Sequence, residues 1–318
     1  RSYLIYTITL NPAIDHVFHI QDELTRGKNN RIAERYMDVG GKGTHVSVGL
    51  NILGKENNCT GITGENNWNE LKNLLIKHQT KSSFYTVSKE DVRNNIVLTD
   101  DGGKGSFMIT EYGFKINKQI IDAFFTQELN QLSSKDTVVV AGNPSLQTPV
   151  EVFAYLLDKL EEKKVQLIAD VSGKFLDEVL KRAVFLIKPN NYEFSEIIGE
   201  EILSLEHCIE VYQKKKSVLT NMKCISVSMG EKGSVLLTND EQYIFNSPRV
   251  KTVNDTGSGD AYVSGLVYGF SEKLPLKDIG ILATAVGAAK AEETLSTGFS
   301  KERVLELKKL VQYRKIGE

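Results

Sequence analysis

The second half of the chain alternates short β-rich runs with longer helical segments. Runs of branched, apolar residues predict buried strands, and amphipathic stretches between them predict helices. Strands separated by helices pair in parallel, because each helix carries the chain back to the starting edge of the sheet. We therefore predict an α/β fold with a doubly wound, mostly parallel sheet flanked by helices. The predicted strands are Thr137–Val140, Leu167–Ala169, Phe185–Ile187 and Cys224–Val227, and the predicted helices are Pro149–Lys163, Glu206–Leu219, Leu276–Glu293 and Lys301–Val311.

Polar or turn-prone residues follow the predicted strands. In open α/β sheets, ligands bind beyond the carboxyl ends of the strands. Any one of these ends is compatible with an ordinary loop, but five in succession predict a ligand site along this edge. The residues are Asn11, Pro12 and Asp15 after a strand at Tyr3–Leu10, then Gly142 and Asn143, Asp170, Lys188 to Glu193, and Ser228 to Gly233.

Two regions interrupt the alternation, at about 13–39 and 92–112. Segments such as Val17–Ile20 alternate apolar and polar residues, and two short strands flank the turn Asp101–Gly103. We expect these regions to form a small β lid that projects from a single domain spanning 1–318. A lid over a site excludes water from the reaction. Its strands have free edges that can pair between subunits, so a homodimer through the lid is a hypothesis. A separate hairpin is predicted at Ser234–Thr238 and Gln242–Phe245.

Composition excludes several classes of protein. The chain has 318 residues, of which 41% are hydrophobic and 25% charged, as in ordinary globular proteins. A formal net charge of -2 argues against binding to nucleic acid or anionic membranes. We find no apolar run of the ~20 residues that a membrane span needs, and expect no signal peptide. The three scattered cysteines, Cys59, Cys208 and Cys224, predict reduced thiols and a cytoplasmic location.

The segment Asn254–Asp260 is a glycine-rich turn that leads into a small-residue, apolar helix pattern. Converging backbone N–H groups at a helix N-terminus suit a phosphate group. A carboxylate beside bound phosphate repels it, unless the carboxylate has a task such as taking a proton from an attacking hydroxyl. The segment therefore predicts phosphoryl transfer with Asp260 as base. The alternative is a structural turn, with Asp260 as a helix-capping residue.

A second glycine cluster, Gly40–Gly43, precedes another helix pattern and contains Lys42. Its spacing matches neither G-x-x-x-x-G-K-[S/T] nor G-x-G-x-x-G, which disfavours a nucleotide P-loop and a dinucleotide-dependent oxidoreductase. Small residues let sugar hydroxyls approach the backbone, so a sugar site is open. A plain tight turn with a solvated lysine is the alternative.

Four motifs in this order resemble the phosphofructokinase-B family of ribokinase-like carbohydrate kinases, over nearly the whole chain. Thr7–Asp15 is similar to the group of 1-phosphofructokinases and tagatose-6-phosphate kinases. The other three motifs are Asp38–Gly43, Lys188–Glu193 and Asn254–Asp260. The resemblance implies a ribokinase-like fold and a kinase that uses ATP and Mg²⁺.

The resemblance also implies roles for the matching residues. Asp260 is the implied base, and the backbone amides of Gly257, Ser258 and Gly259 the implied anion hole. Asn190 and Glu193 are implied to organise the magnesium ion, directly or through water. The implied sugar pocket contains Asp15, Gly40, Gly41, Lys42, His45 and Asn143. The implied nucleotide site contains Asn190, Ser228, Gly230, Gly233 and Thr256, with the helix Leu276–Glu293 on the adenine side.

A phosphorylated substrate needs a second anion site. The family commonly carries an arginine where this chain has Arg93, at the root of the predicted lid, and Lys42 is the second candidate cation. The alternative for Arg93 is a solvated surface side chain. Three departures from the family pattern fall on the sugar side and leave the sugar open: His45 in place of the usual asparagine, Val92–Asn95, and Gly142–Ser145.

We therefore expect a kinase that acts on a hexose phosphate, with fructose 1-phosphate, phosphorylated at its 6-hydroxyl, as the first candidate. Tagatose 6-phosphate is the second candidate, and a nucleoside or unphosphorylated sugar the third. The rival from another class is a non-catalytic sugar-phosphate sensor on the same fold. Such a sensor is expected to have lost the base or the anion hole, and the sequence retains both.

Overall fold

A computed structural model describes residues 3–317. Its strands are β1 Ile5–Thr9, β2 Ala13–Ile20, β3 Ile32–Gly40, β4 Asn58–Gly64, β5 Ser82–Val87, β6 Arg93–Asp100, β7 Phe107–Thr110, β8 Thr137–Ala141, β9 Gln166–Asp170, β10 Val184–Ile187, β11 Met222–Ser228, β12 Ser234–Thr238, β13 Gln242–Asn246 and β14 Gln312–Lys315. Its α-helices are α1 Lys42–Ile52, α2 Trp68–Lys77, α3 Lys118–Phe124, α4 Val150–Glu162, α5 Gly173–Leu180, α6 Asn191–Ile198, α7 Leu205–Lys215, α8 Ser258–Ser271, α9 Leu276–Ala291 and α10 Lys301–Lys308.

The main sheet has ten strands in the order β14-β13-β12-β11-β10-β9-β8-β1-β4-β5. Neighbours from β11 to β5 pair in parallel, and β11 to β14 pair antiparallel. The strand order runs outward in both directions from β8 and β1, as in a doubly wound sheet. The predicted fold class, all four predicted central strands and the β12–β13 hairpin are confirmed.

Helices cover both faces of this sheet, because its strands are apolar on both sides. In β8, Val138 and Val140 pack with α3 to α7, whereas Val139 and Ala141 pack with α1, α8 and α9. Buried parallel strands of this kind read as continuous apolar runs. The helices thus fix the carboxyl ends of the strands along one edge, where the polar residues lie. Within residues 3–317, no helix is long and apolar enough to cross a bilayer.

A second sheet of four strands, here called the small sheet, has the order β3-β2-β6-β7. Its strands fall within the two regions that interrupt the sequence alternation, so the predicted β structure there is confirmed. The central pair β2–β6 is parallel and the outer pairs are antiparallel. Its base rests on a cluster that includes Ile14, Val39 and Val92. The small sheet therefore stands at the carboxyl end of β1, beside the polar strand ends.

The C-terminal segment differs from the prediction. The helix predicted at Lys301–Val311 ends at Lys308, and the chain then forms β14 against β13. The four residues of β14 are polar and largely exposed. An exposed edge strand carries no apolar alternation, so the sequence offered no signal for it. The helix predicted at Glu206–Leu219 likewise ends at Lys215 and continues as a short 3₁₀ turn.

Candidate active site

The glycine-rich turn leads directly into α8, as predicted. Gly257 precedes the helix with φ +81°, and a Cβ there would lie closer to the Ser296 carbonyl oxygen than the 3.0 Å that real Cβ atoms keep. The Asn254 side chain accepts from the Thr256 N–H and donates to the Thr294 carbonyl. These bonds and the glycine fix the turn at the N-terminus of α8, and within it the Ser258 N–H donates to the Asp255 carbonyl oxygen at 3.1 Å.

Lys290 lies against the start of this turn, and its side chain binds the backbone there. Its side chain is fully buried, and its Nζ donates to the Asn254 carbonyl oxygen at 3.0 Å. Burial lowers the pKa of Lys290 to about 8. Lys290 was not among the predicted site residues. The available signal was a lysine near the end of α9, after a run of small or apolar residues from Ile279 to Ala289.

Asp260 lies in the first turn of α8 with its carboxylate between two basic side chains. Oδ1 is 3.1 Å from Lys42 Nζ, and Oδ2 is 2.7 Å from His45 Nδ1. The side chain is only 7% exposed. Burial alone raises the pKa of Asp260, but Lys42 and His45 outweigh burial and hold that pKa well below its usual value. The carboxylate is therefore ionised, and the same two cations make it a weaker proton acceptor than an ordinary aspartate while both are in contact with it.

Lys42 is the first residue of helix α1, and its side chain contacts two carboxylates, one at the end of β9 and one in the first turn of α8. Its Nζ donates to Asp170 at 3.2 Å and to Asp260 at 3.1 Å. Asp170 ends β9, and Lys188 lies 3.9 Å from it. Burial alone lowers the pKa of Lys42, but the two carboxylates outweigh burial, and the pKa of Lys42 lies above its ordinary value. Lys42 thus forms ion pairs with two carboxylates, while 44% of its side chain remains exposed.

Asp15 is buried on the side of the small sheet, behind residues that line the site. The Asp15 side chain is fully buried, and its Oδ1 accepts from Asn95 Nδ2 at 3.3 Å. Burial raises the pKa of Asp15, while His45, Asn95 and Arg93 partly offset that rise. Gly40 is required here, because a Cβ would overlap the Asp15 carboxylate.

Arg93 starts β6 and is partly buried. Its Nε donates to the Asn11 carbonyl at 3.1 Å and its Nη1 to the Glu111 carbonyl at 3.2 Å. Burial lowers the pKa of Arg93, and nearby Asp15 and Glu111 oppose that shift. An arginine remains charged at neutral pH in any case. The structure therefore places a guanidinium at the base of the small sheet.

A cleft of about 860 Å³ lies between the small sheet and the glycine-rich turn. Two polar atoms on its wall, Thr9 Oγ1 and Asn95 Oδ1, are buried and have no hydrogen-bond partner within residues 3–317. Of the predicted site residues, the cleft brings together Gly41, Lys42, His45, Arg93, Asn143, Thr256, Gly257, Gly259 and Asp260. A second cleft, of about 680 Å³, lies at the opposite end of β1 and β4 and contains none of the predicted site residues.

The small sheet touches the glycine-rich turn across the cleft. Ser106, just before β7, donates to Asp255 Oδ1 at 2.8 Å and lies 3.0 Å from the Thr256 hydroxyl. Ser106 was not among the predicted site residues, because a single serine after the loop glycines Gly102, Gly103 and Gly105 carries no functional signal. The contact closes one side of the cleft.

The residues predicted for the nucleotide and the metal lie at the ends of β10 and β11. Asn190 and Glu193 form a reciprocal capping box at the start of α6. Asn190 also pairs with Ser228 as an isolated bridge. Gly230 begins a 3₁₀ turn that ends before Gly233. Within residues 3–317, no three acidic, histidine or cysteine side chains form a metal-binding cluster.

Comparison with known proteins assigns the family. Residues 8–302 match the profile of the pfkB family carbohydrate kinases. The chain belongs to this family. It is 31% identical over 300 residues to a 1-phosphofructokinase of Bacillus subtilis, which covers 92% of this chain and 95% of the relative. It is 29% identical over 285 residues to a 1-phosphofructokinase of Haemophilus influenzae, with 89% of this chain and 90% of the relative covered.

The fold is that of the ribokinase-like kinases. The structure matches phosphofructokinase-2 from Escherichia coli, solved with substrates and products, with a TM-score of 0.88 and 20% sequence identity. The match covers 96% of this chain and 99% of the other. Membership of the pfkB family makes the chain a carbohydrate kinase, and the predicted family and fold are confirmed.

Proposed function

We propose that this pfkB-family kinase transfers the γ-phosphoryl group of ATP to a hexose phosphate, with Asp260 as the base. The observation that carries the proposal is the position of the Asp260 carboxylate. It is buried, ionised, and placed on the cleft wall at the N-terminus of α8. A group so placed faces both an incoming hydroxyl and the backbone N–H groups that suit a phosphate.

The proposed reaction uses the two contacts of Asp260 differently. The sugar hydroxyl takes the place of Lys42 at Oδ1, and Asp260 accepts its proton as the oxygen attacks the γ-phosphorus. The new phosphorus–oxygen bond forms as the bond to the β-phosphate oxygen breaks, and ADP leaves. Lys42 and the amides of Gly257, Ser258 and Gly259 stabilise the charge on the transferred group. The helix dipole of α8 adds to this field.

Kinases of this family use ATP, and a magnesium ion, when bound, would supply positive charge that neutralises the phosphates of the nucleotide. In this chain Glu193 and Asn190 are the residues proposed to hold it. Their capping box already engages Glu193 Oε1 with the Asn190 N–H. Such a site fits a cation that retains several water ligands, and does not fit one that requires a cage of protein oxygens. Ser228, Gly230 and Gly233 are proposed to border the nucleotide.

Fructose 1-phosphate is the proposed acceptor, because both curated relatives compared above are 1-phosphofructokinases. Thr9 and Asn95 line the cleft with polar side chains, which suits a substrate rich in hydroxyl groups. Arg93 supplies a cation on the cleft wall at the base of the small sheet, which suits a substrate that already carries a phosphate. Tagatose 6-phosphate is the alternative substrate.

The deciding experiment measures ADP release with a panel of ketose phosphates, for the parent protein and for Asp260→Asn. Turnover is expected with fructose 1-phosphate, and the variant is expected to lose about 10²–10⁴-fold in kcat. Asp240→Asn, at an exposed hairpin turn, is the matched control. Undiminished turnover by Asp260→Asn would refute the base assignment. Binding of a ketose phosphate without turnover would favour the non-catalytic sensor.

The role of Arg93 is tested separately. Arg93→Ala is expected to raise KM for the phosphorylated sugar about tenfold or more while KM for ATP stays within about twofold. Arg26→Ala, at an exposed position next to the small sheet, is the control. A selective effect on ATP would contradict the proposal.

We also propose that the small sheet acts as a lid and joins two copies of the chain. The register of β3, β2, β6 and β7 places three apolar residues in one row across the small sheet and on the same face: Met37, Ile96 and Ile109. They are 47%, 38% and 55% exposed, and Phe107 extends the same face two residues along β7. An exposed apolar face of this kind suits burial against an identical face. Light scattering is expected to give a dimer for the parent protein and a monomer for Ile109→Asp; a monomeric parent protein would exclude the interface.

A further inference from the structure

His45 is buried between two oxygen atoms. Its Nδ1 lies 2.7 Å from Asp260 Oδ2, and its Nε2 lies 2.7 Å from the Val39 carbonyl oxygen. The side chain is 5% exposed. Sequence comparison with the family placed this residue on the sugar side, where the usual residue is asparagine. The structure shows that its direct contact is with the carboxylate proposed to act as base.

The two contacts determine the protonation of the ring. A carbonyl oxygen only accepts hydrogen bonds, so Nε2 carries a hydrogen. Asp260 is ionised because Oδ1 faces the Lys42 ammonium, so Oδ2 also only accepts. Nδ1 therefore carries a hydrogen as well. With both nitrogens acting as donors, the ring is an imidazolium.

An asparagine does not reproduce this arrangement. Its side-chain amide donates from a single nitrogen and carries no charge. It can bond to Asp260 or to Val39, but it cannot donate in both directions from two separate atoms. The histidine thus connects β3 to the start of α8 by two short bonds, one of them assisted by charge.

We propose that His45 is a positioning residue, whose imidazolium fixes Asp260 Oδ2 so that Oδ1 faces the cleft as an ionised acceptor. The proposal rests on the proposed function for the step that Asp260 performs, but the state of the ring does not depend on turnover. Because Oδ2 is held, the carboxylate cannot rotate when the sugar hydroxyl displaces Lys42. The proton from the sugar then arrives at Oδ1, and the imidazolium keeps its own protons.

The surrounding charges favour the imidazolium. Burial alone lowers the pKa of His45, but the hydrogen bond and charge of Asp260, the charge of Asp15 and the Val39 carbonyl outweigh burial and raise it. The facing groups are Asp260 on α8, Asp15 on β2 and, across Asp260, Lys42 on α1. A pKa raised above 6.5 means that the imidazolium is fully present below that pH and is lost as pH rises through the higher pKa.

The direct test is the side-chain ¹⁵N spectrum of His45 in the full chain without ligands. Both ring nitrogens are expected to carry hydrogens at pH 7, and the titration midpoint is expected to fall in Asp260→Asn, where the negative charge is gone. A ring with one bare nitrogen at pH 7 would overturn the proposal. His207 on α7 serves as the internal reference in the same spectra. Because this measurement needs no substrate, its result does not depend on whether the proposed function is correct.

The kinetic test compares the parent protein with His45→Asn between pH 6 and pH 9. At pH 6.5, kcat is expected to fall about tenfold or more, the size expected of a lost charge-assisted hydrogen bond, while KM for the sugar phosphate changes less than about threefold. The ratio of the two kcat values is expected to shrink as pH rises, because the parent loses its imidazolium. Lys290 titrates in both proteins and cancels in this ratio. An unchanged kcat in His45→Asn at pH 6.5, or an equal fall in His207→Asn, would overturn the proposal.

Discussion

Replacing Gly257 with alanine tests whether the anion-binding turn depends on a close backbone approach. Two costs add in Gly257→Ala. The left-handed backbone, φ +81°, costs a residue with a Cβ about 1–2 kcal/mol. The new methyl group also overlaps the Ser296 carbonyl oxygen, and relieving such overlap costs about 1–3 kcal/mol. The expected loss is therefore about 2–5 kcal/mol in the free energy of unfolding.

Gly54 provides the matched control. It has a similar φ of +84°, but a Cβ there meets no atom within 4 Å, so Gly54→Ala pays only the backbone cost. With an unfolding entropy of about 2.1 cal/mol/K per residue, 318 residues convert each kcal/mol to roughly 1.5 °C in Tm. We expect Tm to fall by about 3–8 °C in Gly257→Ala and by about 1.5–3 °C in Gly54→Ala, measured by calorimetry. Equal shifts in the two variants would show that the approach to Ser296 does not determine the turn.

Three further predictions follow from the same contacts. Gly259→Ala is expected to leave Tm unchanged or slightly raised, since its Cβ meets only Lys188 Nζ at 3.8 Å, but to lower kcat/KM at least tenfold if a phosphoryl group approaches this amide. Lys42→Met is expected to lower kcat about 10²–10³-fold in the ADP-release assay, because it removes a cation from both Asp260 and the transferred group. Lys290 has a pKa of about 8 against 10.5 when exposed, so between these values the unfolded chain binds more protons and stability rises with pH. Urea unfolding is therefore expected to show the parent protein gaining roughly 3 kcal/mol relative to Lys290→Met from pH 7 to above pH 10.5, and no pH-dependent difference would refute the buried charge.

The main sheet was predictable because its central strands are buried on both faces. Runs such as Thr137–Val140 are buried at every position and mostly apolar, and the intervening helices set their direction. Prediction of strands from apolar runs failed where the strand is exposed to solvent. The exposed strand β14 pairs with β13 through its backbone, and backbone pairing leaves no mark on the sequence.

The candidate site was predictable in its parts and less so in its pairings. The two glycine-rich turns predicted two helix N-termini. Local sequence patterns could not show that Lys42 and Asp260, 218 residues apart, form an ion pair. Asp170 was visible only as a polar strand end. His45 was identified as a departure from the family, but which atoms it touches depends on how α1 packs on α8. Long-range contacts of this kind follow from packing, which local patterns do not encode.

The arrangement around Asp260 has a consequence for the protein when no sugar is bound. Both oxygens of the carboxylate are then engaged, Oδ1 by Lys42 and Oδ2 by His45. A water molecule that enters the cleft meets a carboxylate weakened as a base by two cations, whereas a sugar anchored elsewhere in the pocket can use its binding free energy to displace Lys42. On the proposed mechanism, ATP that binds alone meets an inactive base and stays intact until the acceptor arrives.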